Sequence, residues 1–497
     1  MVFSSTIFLF FYLPITLLGY YLLDRRYKNV FLLIASLLFY AWGEPKFVFI
    51  MMFSIVINYA LGLLVDREKG NKPHQRVILT FMVLFNLSLF FVFKYLNFTI
   101  RNLNFLLNDK IPQTNIALPI GISFFTFQAM SYVFDVYRGK GKVQKNLLNV
   151  ALYISFFPQL IAGPIVRYET VALEINSRQE NLNDFSTGVR RFIIGLCKKL
   201  ILSNSLAIIA DKAFGYTDFT QLTVSLAWLG LVSYAFQVYY DFSGYSDMAI
   251  GLGLMFGFHF NENFNYPYIS KTIPEFWQRW HISLGSWFRD YLFYPISISG
   301  WSMNLGKFAR QKWGRTPGKV VPAVVGLAIV WFLTGLWHGA SWWYIIWGCF
   351  YGFLLILSLI FQPIIKKITE ELKINTKSYW FKGIQICRTL FLVLIADVFF
   401  RAPGTWNAFR YLGSMFGLMG NSISDSLSQF LFFDSAITII ISVIAATPIL
   451  KALMNHIPKK YLFNVRCATD IIEVIMLIVC VSYVVNTAYD PFIYFNF

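Results

Sequence analysis

The chain has 497 residues, of which 57% are hydrophobic, 19% aromatic and only 13% charged, and its formal net charge is +17. Soluble domains carry about 25% charged residues, so too few charges remain to solvate a globule of this size, and most of the surface must face lipid. The positive charge lies in loops between apolar runs, a distribution that argues against nucleic acid as a partner.

Apolar runs of the roughly 20 residues needed to cross a bilayer recur from end to end. The first covers 3–23. No Lys or Arg precedes it, and Arg25 is the first basic residue. A cleaved signal peptide would begin with basic residues, so this run is expected to be retained with the N-terminus outside. Runs at 47–65 and 77–93 follow, and alternation places 24–29, 66–76 and 138–146 inside. Residues 138–146 hold Arg138, Lys140, Lys142 and Lys145 without an acid. Residues 300–319, read as a loop, hold Lys307, Arg310, Lys312, Arg315 and Lys319, again without an acid. Both fit the positive-inside rule and would face anionic membrane lipids. Further runs cover 320–336, 341–361 and 471–485, with 459–466 expected inside and Phe497 outside. The expectation is an all-α polytopic membrane protein of about 10–13 helical segments, some short or re-entrant. It forms a single membrane domain over 1–497, with its chemistry concentrated at about 117–361.

The stretch 117–295 departs from a plain bundle. Glycine and proline interrupt it at Pro119, Gly121, Pro158, Gly163 and Pro164. Such breaks survive at membrane depth only where protein or a water-filled cavity satisfies the backbone. Gln128, Asp135, Gln159, Gln237, Asp241 and Asp247 follow the same stretch and suggest a protein-lined cavity or tunnel. Glycines four apart (Gly253 and Gly257, Gly335 and Gly339, Gly348 and Gly352) predict close helix packing. Cys197, Cys349, Cys387, Cys467 and Cys480 form no CxxC pair, which predicts buried small hydrophobes, with no disulfide framework and no metal site. No HExxH pair, GxSxG elbow or Walker loop occurs.

Of the five histidines, His74 lies in a hydrophilic loop, and His456 and His259 read as interfacial. His338 stands at the junction of two apolar runs, where an ionisable side chain is costly and by default functional. A neutral imidazole can accept a proton near pH 7, but a histidine hydrogen-bonded between helices fits the local sequence equally well. His281 belongs to residues 274–290, which read as one amphipathic helix. Pro274 suits its first turn, and Glu275 and Arg279 form an i,i+4 pair. Phe276, Trp280, Leu284, Trp287 and Tyr291 share one stripe, and Trp277, His281 and Gly285 share another. A membrane-surface helix with a stray histidine is the alternative.

At these residues the chain resembles the membrane-bound O-acyltransferases. Gly335-Leu-Trp-His-Gly-Ala-Ser-Trp-Trp matches their histidine segment. Phe276-Trp-Gln-Arg-Trp-His-Ile-Ser-Leu-Gly-Ser-Trp-Phe-Arg-Asp-Tyr matches the second signature. Tyr240-Asp-Phe-Ser-Gly-Tyr-Ser-Asp, Asn263-Phe-Asn-Tyr-Pro-Tyr, Phe156-Phe-Pro-Gln-Leu-Ile-Ala-Gly-Pro and Phe399-Phe-Arg-Ala resemble the alginate O-acetyltransferase branch. Tyr351 stands where that branch often has a further histidine. The branch that D-alanylates teichoic acids is a close cousin with the same two histidines.

The resemblance implies a ring of tilted helices around a central tunnel in a bacterial cell membrane. There, a cytoplasmic acyl thioester such as acetyl-CoA would meet an acceptor from outside. It makes His338 the general base, and His281 the residue that orients a substrate or donates to the developing oxyanion. Trp337, Trp277 and Trp280 would wall the site, with Arg279, Asp241 and Gln237 as further substrate contacts. It also implies an outer partner with a serine-esterase-like (SGNH-type) active site that passes the acyl group to a polysaccharide. D-alanyl transfer to teichoic acid, a polysaccharide or ion transporter, and a scaffold for a secreted acetyltransferase are the alternatives.

Overall fold

The computed structural model describes residues 1–108 and 110–486, and every regular element among them is helical. Among the described residues, eight helices are long and apolar enough to cross a membrane: Phe47–Arg67, Lys72–Leu107, Leu182–Phe214, Arg315–His338, Trp342–Glu371, Tyr379–Arg401, Ser426–Ala445 and Phe463–Asn486. The first apolar run forms the shorter Phe8–Leu22. The protein is an all-α, multi-pass membrane protein. The expected outer position of Phe497 lies outside the described residues.

One expectation fails early. The basic stretch 300–319 is not a loop but the helix Gly300–Trp313, which runs through Gly314 into Arg315–His338. The Ser299 side chain caps it by accepting from the Ser302 N–H. Arg310 and Lys312 lie in its last turn, where cations offset the partial negative charge of the helix end.

The chain folds as two compact units. The first comprises Met1–Leu200, Phe242–Glu262 and the chain from Ile471. Its interrupted backbone is satisfied by protein. Gly121 adopts φ 75° before the helix Ile122–Arg138, and the Tyr40 hydroxyl donates to the Ile120 carbonyl at 2.9 Å. Gln128, Asp135 and Gln159 are buried, and the Gln159 amide donates to the Tyr153 carbonyl. Asp247, expected among cavity-lining groups, instead accepts from Arg191 at 2.9 Å and Lys198 at 2.6 Å, because two cations on the neighbouring helix reach it first. A Cβ on Gly188 would lie 2.6 Å from the Gly251 carbonyl, and one on Gly195 would lie 2.5 Å from that of Gly244. Glycine at these positions is what lets the two backbones touch.

The cysteines divide. Cys197 and Cys480 are buried with Sγ atoms 3.2 Å apart, whereas Cys349, Cys387 and Cys467 are exposed. The expectation of general burial fails because a thiol is apolar enough to occupy the outward face of a membrane helix.

His259 is half-exposed between two carboxylates. Its Nδ1 lies 2.7 Å from Glu174 Oε1 and its Nε2 lies 3.2 Å from Asp184 Oδ2. Partial burial disfavours the charged ring, but the Glu174 and Asp184 carboxylates outweigh it and raise the pKa above the ordinary 6.5. The folded state therefore binds this proton more tightly than the unfolded chain. The stabilisation is fully present below pH 6.5 and is lost as pH rises through the raised value. Purified His259→Gln is expected to melt below wild type at pH 6, with the gap closing above pH 8. A gap of constant size across that range would contradict the assignment.

The second unit comprises Ile201–Asp241 and Asn263–Asp470. Its centre is the antiparallel pair Arg315–His338 and Trp342–Glu371, joined by residues 339–341. A Cβ on Gly348 would lie 2.8 Å from the Gly335 Cα, so the predicted small-residue packing operates between these helices. This approach brings residues 331–338 against residues 344–352 and so sets the surroundings of His338.

Candidate active site

His338 is the last residue of its helix and is buried. A Cβ on Gly339 would collide with the Tyr344 ring, so the turn that ends the helix at His338 requires glycine. The aromatic rings packed around the imidazole include Trp347 at 4.8 Å, Trp337 at 4.9 Å and Phe400 at 5.2 Å between centroids. Trp337 also reaches the second histidine, with 6.3 Å between its ring and that of His281. Both imidazoles therefore lie in one unit against a common indole.

The segment carrying His281 is not the single amphipathic helix that residues 274–290 predict. Ile273–Arg279 ends, His281 adopts φ 42° and ψ 54°, and a new helix runs over Ile282–Phe288. The cause is a crossing by residues 263–265. The Asn263 carbonyl accepts the Ile282 N–H at 2.9 Å, and the Asn265 N–H donates to the Arg279 carbonyl at 2.9 Å. These bonds replace helical ones and leave the left-handed residue between them. Left-handed backbone in a residue other than glycine is uncommon, is most tolerated by Asn, Asp and His, and clusters at functional sites.

The same crossing sets the tautomer of His281. Asn263 Oδ1 accepts the Ser283 N–H at 3.1 Å and the Ser283 hydroxyl at 2.9 Å, and lies 3.2 Å from His281 Nδ1. An oxygen holding a backbone N–H is an acceptor, so Nδ1 must be the donor. The neutral ring then carries its lone pair on Nε2. That tautomer suits accepting a hydrogen bond from a substrate hydroxyl and does not suit donating one to an oxyanion.

A cavity of about 460 Å³ opens beside His281. Its walls include Trp277, Leu284, Val330, Trp331 and Leu355, and it is mostly apolar. Trp277 and Gly285, placed by the sequence on the face of His281, both line it despite the helix break. The Trp277 ring packs on Trp331 at 4.6 Å and on Tyr351 at 4.8 Å, so the tyrosine that departs from the branch pattern supports a ring of the cavity wall without lining the cavity itself.

The other residues proposed from sequence lie elsewhere. Trp280 packs against Phe264 at 5.2 Å and Phe276 at 5.5 Å. Arg279 bonds Glu275 at 3.0 Å, the expected i,i+4 pair, and also donates to the Asn265 carbonyl at 3.0 Å, which commits it to holding the crossing. Gln237 and Asp241 lie one turn apart on the helix Val224–Met255 and do not line this cavity. Sequence reasoning assigned no site role to Asn263, Trp347 or Phe400. Asn263 and Phe400 fall in motifs quoted above, which was a signal of position but not of role. No group of three or more metal-ligating side chains is present among the described residues.

Residues 34–394 match the family described as membrane-bound O-acyltransferase. The chain belongs to the membrane-bound O-acyltransferase family. It is an acyltransferase, with both histidine segments inside the matched region. It is 37% identical to the probable alginate O-acetylase of Pseudomonas putida, with 100% of each chain covered. Against the probable alginate O-acetylase of Pseudomonas syringae pv. tomato it is 43% identical over 421 residues, 84% of this chain and 75% of the relative. Against the peptidoglycan O-acetyltransferase of Helicobacter pylori it is 33% identical, covering 87% of this chain and 83% of the relative.

Proposed function

We propose that this acyltransferase moves an acetyl group from a cytoplasmic thioester, acetyl-CoA by class, across the bacterial cell membrane for O-acetylation of an extracytoplasmic polysaccharide such as alginate. The observation that carries the reading is the convergence of the two buried imidazoles on the Trp337 indole, in a chain that aligns end to end with an alginate O-acetylase. D-alanyl transfer to teichoic acid is disfavoured by that end-to-end match to an O-acetylase. A transporter or a scaffold is disfavoured by the match to an acyltransferase family.

In this mechanism His338 takes the proton of an acceptor hydroxyl as its oxygen attacks the thioester carbonyl. The carbonyl-rich end of the helix Arg315–His338 stabilises the positive charge that develops on the ring. Collapse of the tetrahedral adduct breaks the C–S bond, and the leaving thiolate recovers the proton from the imidazolium. His281, with its lone pair on Nε2, accepts a hydrogen bond from a substrate N–H or O–H other than the one that reacts, and so orients the substrates. Trp337 and Trp277 exclude water, which limits hydrolysis of the thioester. The immediate acceptor is an outer partner with a serine-esterase-like (SGNH-type) site, which hands the acetyl group to the polymer.

Purified protein incubated with acetyl-CoA labelled in the acetyl group is expected to consume the thioester, releasing free thiol and labelled acetate or ester. A channel or scaffold would leave the donor intact. Deletion of the protein from its cell is expected to remove base-labile acetate from the exopolysaccharide. Undiminished acetate would refute the acceptor class.

A further inference from the structure

The last membrane helix, Phe463–Asn486, faces mostly outward. Only 6% of its apolar stretch is buried, yet Cys480 has no exposed surface. From Ile471 onward this helix belongs to the first unit, where it runs beside Leu182–Phe214. Two side-chain pairs fix the register. Arg190 lies 3.9 Å from Glu473, and Cys197 Sγ lies 3.2 Å from Cys480 Sγ. The second contact comes seven residues after the first in both helices. Seven residues make about two turns, so the helices run parallel, and the two thiols stand on facing stripes.

Burial alone suits any small apolar side chain. This contact differs in that both partners can be oxidised and each faces the other. The sulfurs of a disulfide lie about 2.05 Å apart, so these two need to close by only about 1.2 Å. Their surroundings select the oxidant. Both helices are of the kind that crosses a membrane, and Cys197 is only 5% exposed. A charged or bulky reagent such as glutathione disulfide cannot enter there, whereas a small uncharged peroxide can. Peroxide oxidises a thiol to a sulfenic acid, which condenses with a neighbouring thiol to a disulfide. Cys197 keeps the exposed surface of the pair, which makes it the thiol attacked first and leaves Cys480 to resolve the sulfenic acid.

We infer that Cys197 and Cys480 form a site of peroxide oxidation, and that the resulting disulfide staples the last membrane helix to Leu182–Phe214. The Cys197 sulfur attacks one oxygen of hydrogen peroxide, the O–O bond breaks, and water leaves as the sulfenic acid forms. The Cys480 sulfur then attacks that of Cys197, the S–O bond breaks, the S–S bond forms, and a second water leaves. Two electrons pass from the thiols to one peroxide, and both thiol protons end in water. The staple joins positions 283 apart, and cross-links that close long loops constrain the unfolded chain most. Leu182–Phe214 also carries Arg191 and Lys198, which hold Asp247. The oxidised form therefore ties the last helix to the charge cluster of its unit, and the protein resists unfolding better when its membrane meets peroxide.

The test treats the purified full chain with hydrogen peroxide and then blocks the remaining thiols with N-ethylmaleimide. Peptide mapping is expected to find Cys197 joined to Cys480 in most molecules. The melting temperature is expected to rise by about 5 °C or more and to return to its starting value after reduction with dithiothreitol. Recovery of Cys197 and Cys480 as separate maleimide adducts, or joined instead to Cys349, Cys387 or Cys467, overturns the inference. An unchanged melting temperature in a sample that carries the link does the same for the staple. Glutathione disulfide in place of peroxide is expected to leave both thiols free, and equally efficient linkage by it overturns the choice of oxidant. Single variants test the order of attack. Cys480→Ala, treated with peroxide and denatured in dimedone, is expected to carry the dimedone adduct on Cys197, whereas Cys197→Ala carries none on Cys480. The reverse pattern overturns the assigned roles. If either variant fails to fold, the linked peptide and the melting shift of the unsubstituted chain decide alone.

Discussion

His338→Ala is expected to lower acetyl transfer by about 10²–10⁴-fold, the usual contribution of a positioned general base, equivalent to about 3–5 kcal/mol of activation free energy. Large aromatic rings, Trp337, Trp347 and Phe400 among them, hold this imidazole, so removing it also leaves a void, and the structural cost must be separated from the chemical one. His338→Gln keeps most of the volume and a hydrogen-bonding group but cannot take up a proton near neutral pH. Both variants should lose activity to a similar degree, while the glutamine variant melts within a few degrees of wild type. If His338→Gln keeps wild-type transfer, the base assignment is wrong. If both variants fail to fold, the histidine serves packing between helices instead.

His281→Ala is expected to cost about 10²-fold in kcat, the scale on which misplacing a reactant by about 1 Å slows catalysis. Its backbone supplies an internal control. At φ 42° a glycine is unstrained whereas alanine is not, so His281→Gly should be at least as thermostable as His281→Ala and equally inactive. Asn263 holds the Nδ1–H of His281, so Asn263→Leu should lower kcat with a smaller change in KM. Combined with His281→Ala it should add little, because residues in one hydrogen-bond network do not contribute independently. Fully additive losses would mean that Asn263 acts on stability alone.

The boundary between local and non-local information runs through this site. Membrane spans were legible because they depend on composition over some 20 residues, and eight helices of that kind are present among the described residues. The packing of Gly335 against Gly348 was legible as glycines at four-residue spacing. The two histidine segments stood out because imidazoles are costly among apolar helices. By contrast, the periodicity of residues 274–290 supports one continuous helix, and nothing within the segment announces the break. The break comes from residues 263–265, whose backbone captures the Arg279 carbonyl and the Ile282 N–H.

A polytopic all-α protein could thus be read from residue order alone, and two imidazoles could be singled out there as candidates for proton transfer, since burial preference and helix period are properties of neighbouring residues. Folding in three dimensions was needed to show that both rings share Trp337, that Asn263 sets the tautomer of His281, and that a wide apolar cavity opens beside it. Each of these depends on segments distant along the chain meeting in space, through hydrogen bonds and ring packing whose partners no local period encodes.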